Sequence, residues 1–250
     1  DARAVSNSMK DIDVCLHLAA AGNVQASIEN PVDYFSVNVL GTLNILEEAR
    51  KYDIRIVFTS TGMVYYTKDK GLIDENHIVK ASSPYVASKI AAENLCVAYH
   101  HTYGLPVTIL RPFHVYGTGI PAYTSVIFRF IESKLKGTNL AIYGDGSQIR
   151  DFTYMDDCVD FILKATFAKN IDGEIINSGT GRGISIHELA LMVLPDENRI
   201  THLPHHHPQC EVQRLVCDYS KAKKLLGWEP HVRLEDGIKL LENWIKNNLQ

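Results

Sequence analysis

The sequence predicts an α/β protein, a doubly wound parallel sheet with a smaller C-terminal lobe. Short apolar runs alternate with helical patterns through the first half of the chain, which is the signature of parallel strands joined by right-handed crossovers. The residues able to do chemistry fall just past those runs, where sheets of this kind bind their ligands. No internal repeat, low-complexity tract or Pro/Gly-rich linker divides the 250 residues, so the two lobes are expected to share an interface rather than a tether.

Residues 12–21 (IDVCLHLAAA) read as a buried strand followed by a turn of small residues. A helical pattern over 31–52 sets Val37, Leu40, Leu43, Ile45 and Leu46 on one side, and IRIVFTS over 54–60 is a second buried strand. A long helix is predicted from Pro84 to about Tyr103, stopped by Gly104, and VTIL over 107–110 is the next strand, ended by Arg111-Pro112. Beyond Pro112 the alternation loosens. Helices are expected over 124–135, 155–168, 185–193 behind a capping Ser185, and 234–247, with a short strand over 140–143 and a turn at Gly144-Asp145-Gly146.

A net charge of -4 supplies no basic stripe for nucleic acid, and no apolar run approaches the ~20 residues needed to cross a bilayer. Neither partner is expected. Cys15, Cys96, Cys158, Cys210 and Cys217 show no CxxC spacing and read as reduced thiols, which points to the cytoplasm. His205-His206-His207 beside Cys210 does not make a metal site, because adjacent residues of a strand or helix cannot all point at one ion.

The most informative pair is Tyr85 and Lys89. Spaced i,i+4, both leave one face of a helix, close enough for the ammonium to act on the phenol. A free phenol titrates near ~10 and needs a cation to serve as a base at neutral pH. His17-Leu18-Ala19-Ala20 at the end of the first strand, Thr59-Ser60-Thr61 at the end of the second and Arg111-Pro112-Phe113-His114 at the end of the third are expected to converge on the same crevice.

Taken in order, HLAA (17–20), NVLGT (38–42), TSTGMVY (59–65), SPYVASK (83–89), RPFHVYG (111–117), YGDGSQIRDFTYMDD (143–157) and LGWEP (226–230) make the chain resemble the extended short-chain dehydrogenase/reductase family, and within it the nucleotide-sugar epimerases and dehydratases. The resemblance implies a Rossmann-like NAD-binding unit over 1–115 with about 145–165, and a lobe over 116–250 that mainly binds the nucleotide sugar. It implies Tyr85 as base, Lys89 as the cation that lowers the Tyr85 pKa and holds the nicotinamide ribose, and Thr61 as the partner of the reacting hydroxyl. Asp1, Ala2, Leu18, Ala19, Ala20, Thr59, Pro112 and Phe113 fall at cofactor positions. Arg150 aligns with an arginine that pairs with the diphosphate, a task suited to a planar guanidinium, although a partner acid, Asp151 or Asp156, is the alternative. Asn38 is expected to hold neighbouring backbone. The family habit is a homodimer through the helices at 31–52 and 84–103.

The departures are informative. Where the 4,6-dehydratases carry an Asp-Glu pair, this chain has Gly62-Met63, and neither residue moves a proton. His114 replaces the Asn that contacts the diphosphate in epimerases. The second phosphate arginine is missing from 205–211 or replaced by Arg214. No G-x-x-G-x-x-G occurs, so by resemblance the chain is expected to be a partial sequence, N-terminally incomplete, that binds NAD weakly by itself. The expected activity is NAD-dependent 4-epimerisation of a nucleotide-diphosphate sugar, UDP-linked by resemblance, with NADP not excluded. A dehydratase, a 4-keto-sugar reductase and a non-catalytic nucleotide-sensing protein on the same scaffold are the alternatives.

Overall fold

The computed structural model describes residues 1–66, 71–119 and 125–248. Helix α1 (Ala2–Ser8) precedes β1 (Val14–His17), and α2 (Val24–Glu29), α3 (Pro31–Phe35) and α4 (Gly41–Tyr52) lead to β2 (Arg55–Thr59). Helix α5 (Pro84–Tyr103) then feeds β3 (Val107–Pro112) and β4 (His114–Tyr116). The second half contains α6 (Val126–Lys136), β5 (Leu140–Tyr143), β6 (Ile149–Tyr154), α7 (Met155–Phe167), β7 (Ile175–Ser178), β8 (Gly183–Ser185) and α8 (Ile186–Val193). It ends with β9 (Ile200–Leu203), β10 (Arg214–Leu215), α9 (Ser220–Leu226) and α10 (Leu234–Asn248).

Strands β1-β2-β3-β7 form one parallel sheet in that order. One face of it is covered by α4 and α5 over Leu46, Ala49, Ile56, Phe58, Ala92, Cys96 and Ile109. The other is covered by α7 and α9 over Val57, Leu110, Phe161, Ala165, Ile176 and Trp228. A second sheet, β10-β6-β4 with β8 antiparallel to β6, and the parallel pair β5-β9 pack with α6, α8 and α10 around a separate core. β7, α7 and α9 thus join the first sheet from beyond residue 116. Trp228 is sealed there, its indole Nε1 donating to the carbonyl of Asp157 at 3.0 Å.

The helix expected over 31–52 is not uniform, because Ser36–Leu40 make a π turn between α3 and α4. The extra residue in the turn swings Asn38 inward, and such insertions occur often at functional sites. Its side chain accepts from the Ala21 N–H at 2.8 Å and donates to the Ala21 carbonyl at 3.0 Å and to Ser88 Oγ at 2.8 Å. Asn38 therefore ties the loop after β1 to the first turns of α5, in keeping with the backbone-holding role read from sequence. Thr42 donates to the Asn38 carbonyl at 2.6 Å, so His17 Nε2, 2.9 Å from Thr42 Oγ1, carries the proton of that contact. Burial and the charge of Lys89 hold His17 near a pKa of about 4, so its ring is neutral.

Candidate active site

The chain crosses from the first sheet to the second at Phe113, whose N–H donates to the Ser178 carbonyl at 2.8 Å. A cavity of about 520 Å³ opens at that crossing. The carboxyl end of β2 supplies Ser60 and Thr61, the start of α5 supplies Tyr85, and the β3–β4 link supplies Pro112, Phe113 and His114. Arg150 enters from β6, Tyr143 from β5, Arg129 from α6, and Glu211 from the segment before β10. An adjoining cavity of about 510 Å³ shares Met63, His114, Arg129, Arg150, His205 and Glu211 and extends along His206, His207 and Cys210.

Tyr85 is placed by helix-start chemistry. Ser83 caps α5 by accepting the Val86 N–H, Pro84 occupies the first turn, and Gly104 in the left-handed region ends the helix. Along α5, Tyr85, Ser88, Lys89, Ala92, Glu93 and Cys96 are all buried, which is one helical stripe against the sheet. Thr61 caps the short turn Gly62–Val64 by accepting the Met63 N–H at 3.2 Å. Its side chain also lies close enough to Tyr85 to act on the phenol.

The electrostatics of the pair differ from the expectation. Burial is the largest influence on the Tyr85 phenol and pushes it up, with Thr61 opposing it. Lys89 is itself sealed, at 2% exposure, and burial draws its ammonium down to about 8. Its Nζ donates to the Thr59 carbonyl at 2.7 Å and rides 4.3 Å over the Phe58 ring. The lysine faces the sheet, and desolvation governs the phenol.

Arg150 does not pair with Asp151 or Asp156. It forms an ion pair with Glu211, whose other oxygen accepts from His205 Nε2 at 2.8 Å. His205 Nδ1 accepts the His207 N–H at 3.0 Å, so the proton sits on Nε2 without a charge on the ring. His114 is half-buried, with Nδ1 enclosed and without a partner, and burial beside Arg150 lowers its pKa to about 3. Asp151 is committed elsewhere, accepting from the N–H groups of Thr180, Gly181 and Cys217.

Several residues singled out from the sequence lie elsewhere. Arg214 lines neither cavity; it starts β10, with Nε buried and without a partner. Leu18, Ala19 and Ala20 are exposed beyond β1, Asp1 caps α1 through Arg3 and Ala4, and Ala2 opens that helix. Thr59 offers its carbonyl to Lys89 and keeps a buried, unpartnered hydroxyl. Among the described residues no group of three or more His, Cys, Asp or Glu is arranged to hold a metal, and no helix is long and apolar enough to cross a membrane.

Gly62 meets a steric limit as well as lacking an acid. A Cβ there would sit 2.6 Å from the Phe113 ring. Any side chain at 62 must displace a ring that lines the cavity and packs 6.1 Å from Tyr65. Gly62→Ala is therefore expected to cost about 1–3 kcal/mol, as overpacking does. A denaturation midpoint equal to that of the unmodified chain would show that Phe113 yields freely.

Residues 1–179 match the model of the NAD dependent epimerase/dehydratase family. The chain belongs to that family. The UDP-glucuronate 4-epimerase of Thermodesulfobacterium geofontis is 39% identical over 247 residues, covering 96% of this chain and 74% of that protein. The X-ray structure of Pal from Bacillus thuringiensis superposes with a TM-score of 0.95 at 44% identity, over all of this chain and 81% of that one. The UDP-glucuronic acid 4-epimerase of Bacillus cereus, solved with UDP-glucuronic acid and NAD, is similar at a TM-score of 0.90 and 33% identity, over 97% of this chain and 78% of that one. Membership makes the chain one of an enzyme family, and its parallel sheet with flanking helices is the family's Rossmann-like fold.

The sequence reasoning missed Glu211, Arg129 and Tyr143 as cavity residues and the Glu93–Arg111 pair behind it. The Tyr-x-x-x-Lys-x-x-x-Glu spacing in 85–93 was the available signal for Glu93. Glu211 offered none, since its partner Arg150 is 61 residues away.

Proposed function

We propose that the chain is an NAD-dependent nucleotide-sugar 4-epimerase that oxidises the C4 hydroxyl of the sugar and reduces the ketone from the other face. The observation that carries this reading is a cavity holding a phenol, a threonine hydroxyl and an arginine, with Gly62-Met63 in place of proton-moving acids. Water elimination needs an acid and a base beside the sugar, whereas reversible oxidation needs one group to take and return the hydroxyl proton. The names of the relatives support a UDP-linked substrate and NAD.

The residues present suit that cofactor. Thr59 Oγ1 and Ser60 Oγ are buried at the end of β2 without partners, and small residues follow β1. Thr59, Pro112, Phe113, Lys89 and Tyr85 would hold it, with Asp1, Ala2, Leu18, Ala19 and Ala20 at more distant contacts. NAD, when bound, would supply the hydride acceptor for C4 and the donor for its return. Tyr85 Oη takes the C4 hydroxyl proton and later returns it, and Thr61 Oγ1 holds that hydroxyl in line. Lys89 must be charged to favour the phenolate against the desolvation of the buried phenol. Arg150 and His114 orient the diphosphate, with Arg129 at the rim in the place proposed from sequence for Arg214. The diphosphate has to displace Glu211 from Arg150, exchanging one charge-assisted pair for another.

The apolar groove formed by Pro31, Val32, Phe35, Val39 and Leu40, with Val32 77% exposed, supports a homodimer through the helices at 31–52 and 84–103. A monomer in sedimentation equilibrium at micromolar concentration would count against that assembly. Product analysis tests the activity. NMR of mixtures containing UDP-glucose, UDP-N-acetylglucosamine or their uronic forms is expected to show the C4 epimer of one of them, and a 4-keto-6-deoxy product would overturn the reading.

A further inference from the structure

The catalytic cation has a design problem that the cavity itself does not solve. Lys89 is 2% exposed, its Nζ meets a carbonyl and a phenyl ring, and neither carries a charge. A sealed ammonium in such surroundings tends to shed its proton. Something must hold it charged if it is to stabilise a phenolate one turn away.

The groups facing Lys89 can be taken element by element. From β1 comes His17, a neutral imidazole. From β2 come Phe58 and the Thr59 carbonyl, and from β3, beyond Glu93, the guanidinium of Arg111. From its own helix come Tyr85, Cys96 and Glu93, one turn beyond Lys89 on the buried stripe. Glu93 is the acid of this set. It makes no ion pair with Lys89 and is held by Arg111 instead, whose Nε donates to Oε1 at 2.9 Å and Nη2 to Oε2 at 2.6 Å. The Arg111 guanidinium is fixed in turn, with Nη1 donating to Tyr65 Oη at 2.7 Å and Tyr65 donating to Asn177 Oδ1 at 2.8 Å. Side chains from α5, the end of β3, the turn after β2 and β7 thus lock one carboxylate in place.

We propose that Glu93 is a positioning residue for catalysis: clamped by Arg111, its carboxylate is the counter-charge that keeps the sealed Lys89 ammonium protonated one helical turn from Tyr85. Placement supports this, since Glu93 is ion-paired with Arg111 and stands one turn from Lys89 on the same buried stripe, so its charge acts on both enclosed cations. The titration of Lys89 agrees, for burial lowers it and Glu93 is the largest opposing influence. The inference rests on the reading of Tyr85 and Lys89 as the proton-transfer pair.

The test is Glu93→Gln, which keeps the shape and one acceptor for Arg111 while removing the charge. Two quantities are measured: the alkaline limb of the pH profile of kcat/KM, and the midpoint of Lys89 followed by its ¹³Cε NMR shift, assigned with Lys89→Arg. Both are expected to move to lower pH by about one unit, so that turnover falls about twofold at pH 7 and about tenfold at pH 9, where a unit's shift is a tenfold change in the charged fraction of Lys89. Glu93→Asp is expected to bring both back towards the unmodified values. A loss of kcat with limb and midpoint unmoved overturns the proposal, because a structural role predicts that pattern. If Glu93→Gln does not fold, Glu93→Gln/Arg111→Met is compared with Arg111→Met, two chains that differ only in the Glu93 charge, and an equal Lys89 midpoint in both overturns it. An unmodified enzyme that turns over no nucleotide sugar sinks the functional reading instead, and the NMR midpoint still decides the role of Glu93.

Discussion

Tyr85→Phe is expected to lower turnover of a nucleotide sugar by about 10²- to 10⁴-fold, the range that a positioned proton-transfer group contributes. The substitution removes one oxygen and keeps the ring that packs 6.3 Å from Tyr34 in the core beneath the cavity. The fold and the sugar-binding residues should therefore survive, so KM is expected to change far less than kcat. That split separates loss of chemistry from loss of binding. Rates within twofold of the unmodified enzyme would exclude the phenol as the base, and would favour a protein that senses nucleotides without transforming them.

The largest expected effect on stability lies behind the site. Arg111→Met leaves the Glu93 carboxylate, 4% exposed, without its two-pronged partner, and breaking one half of a buried ion pair costs about 3–5 kcal/mol. Tyr65 would also lose the donor that meets its hydroxyl. Adding Glu93→Gln removes the stranded charge and is expected to recover most of that loss. Denaturant titration of the two single variants and the double variant measures the coupling directly. Additive costs, with no recovery in the double variant, would mean that the pair is not the electrostatic unit described.

How far the sequence could be read depends on the range of the interaction. The strand–helix alternation, the cap at Ser185 and the stop at Gly104 are local and legible, and each appears within a residue or two of where the pattern puts it. The gathering of Thr61, Tyr85, Pro112, Phe113, His114 and Arg150 into one cavity was anticipated because each follows a strand end or an ordered motif. Legibility fails where a long-range partner decides. Glu211 capturing Arg150, the π turn that aims Asn38, and the Phe113 ring pressing on Gly62 are products of packing. The direction of the Tyr85 shift failed for a related reason. Spacing predicts that an ammonium is near a phenol, but only the packed structure shows that burial outweighs it and that the ammonium turns to Thr59. Arg214 matched a missing arginine by sequence proximity alone, and strand β10 carries it away from the cavity.

The most direct test of reversible oxidation at C4 is the fate of a label. A UDP-sugar deuterated at C4, incubated with enzyme and NAD and followed by NMR, is expected to yield the C4 epimer with deuterium still at C4, since the hydride leaves and returns to one carbon. Inversion accompanied by loss of deuterium from C4 would contradict the account.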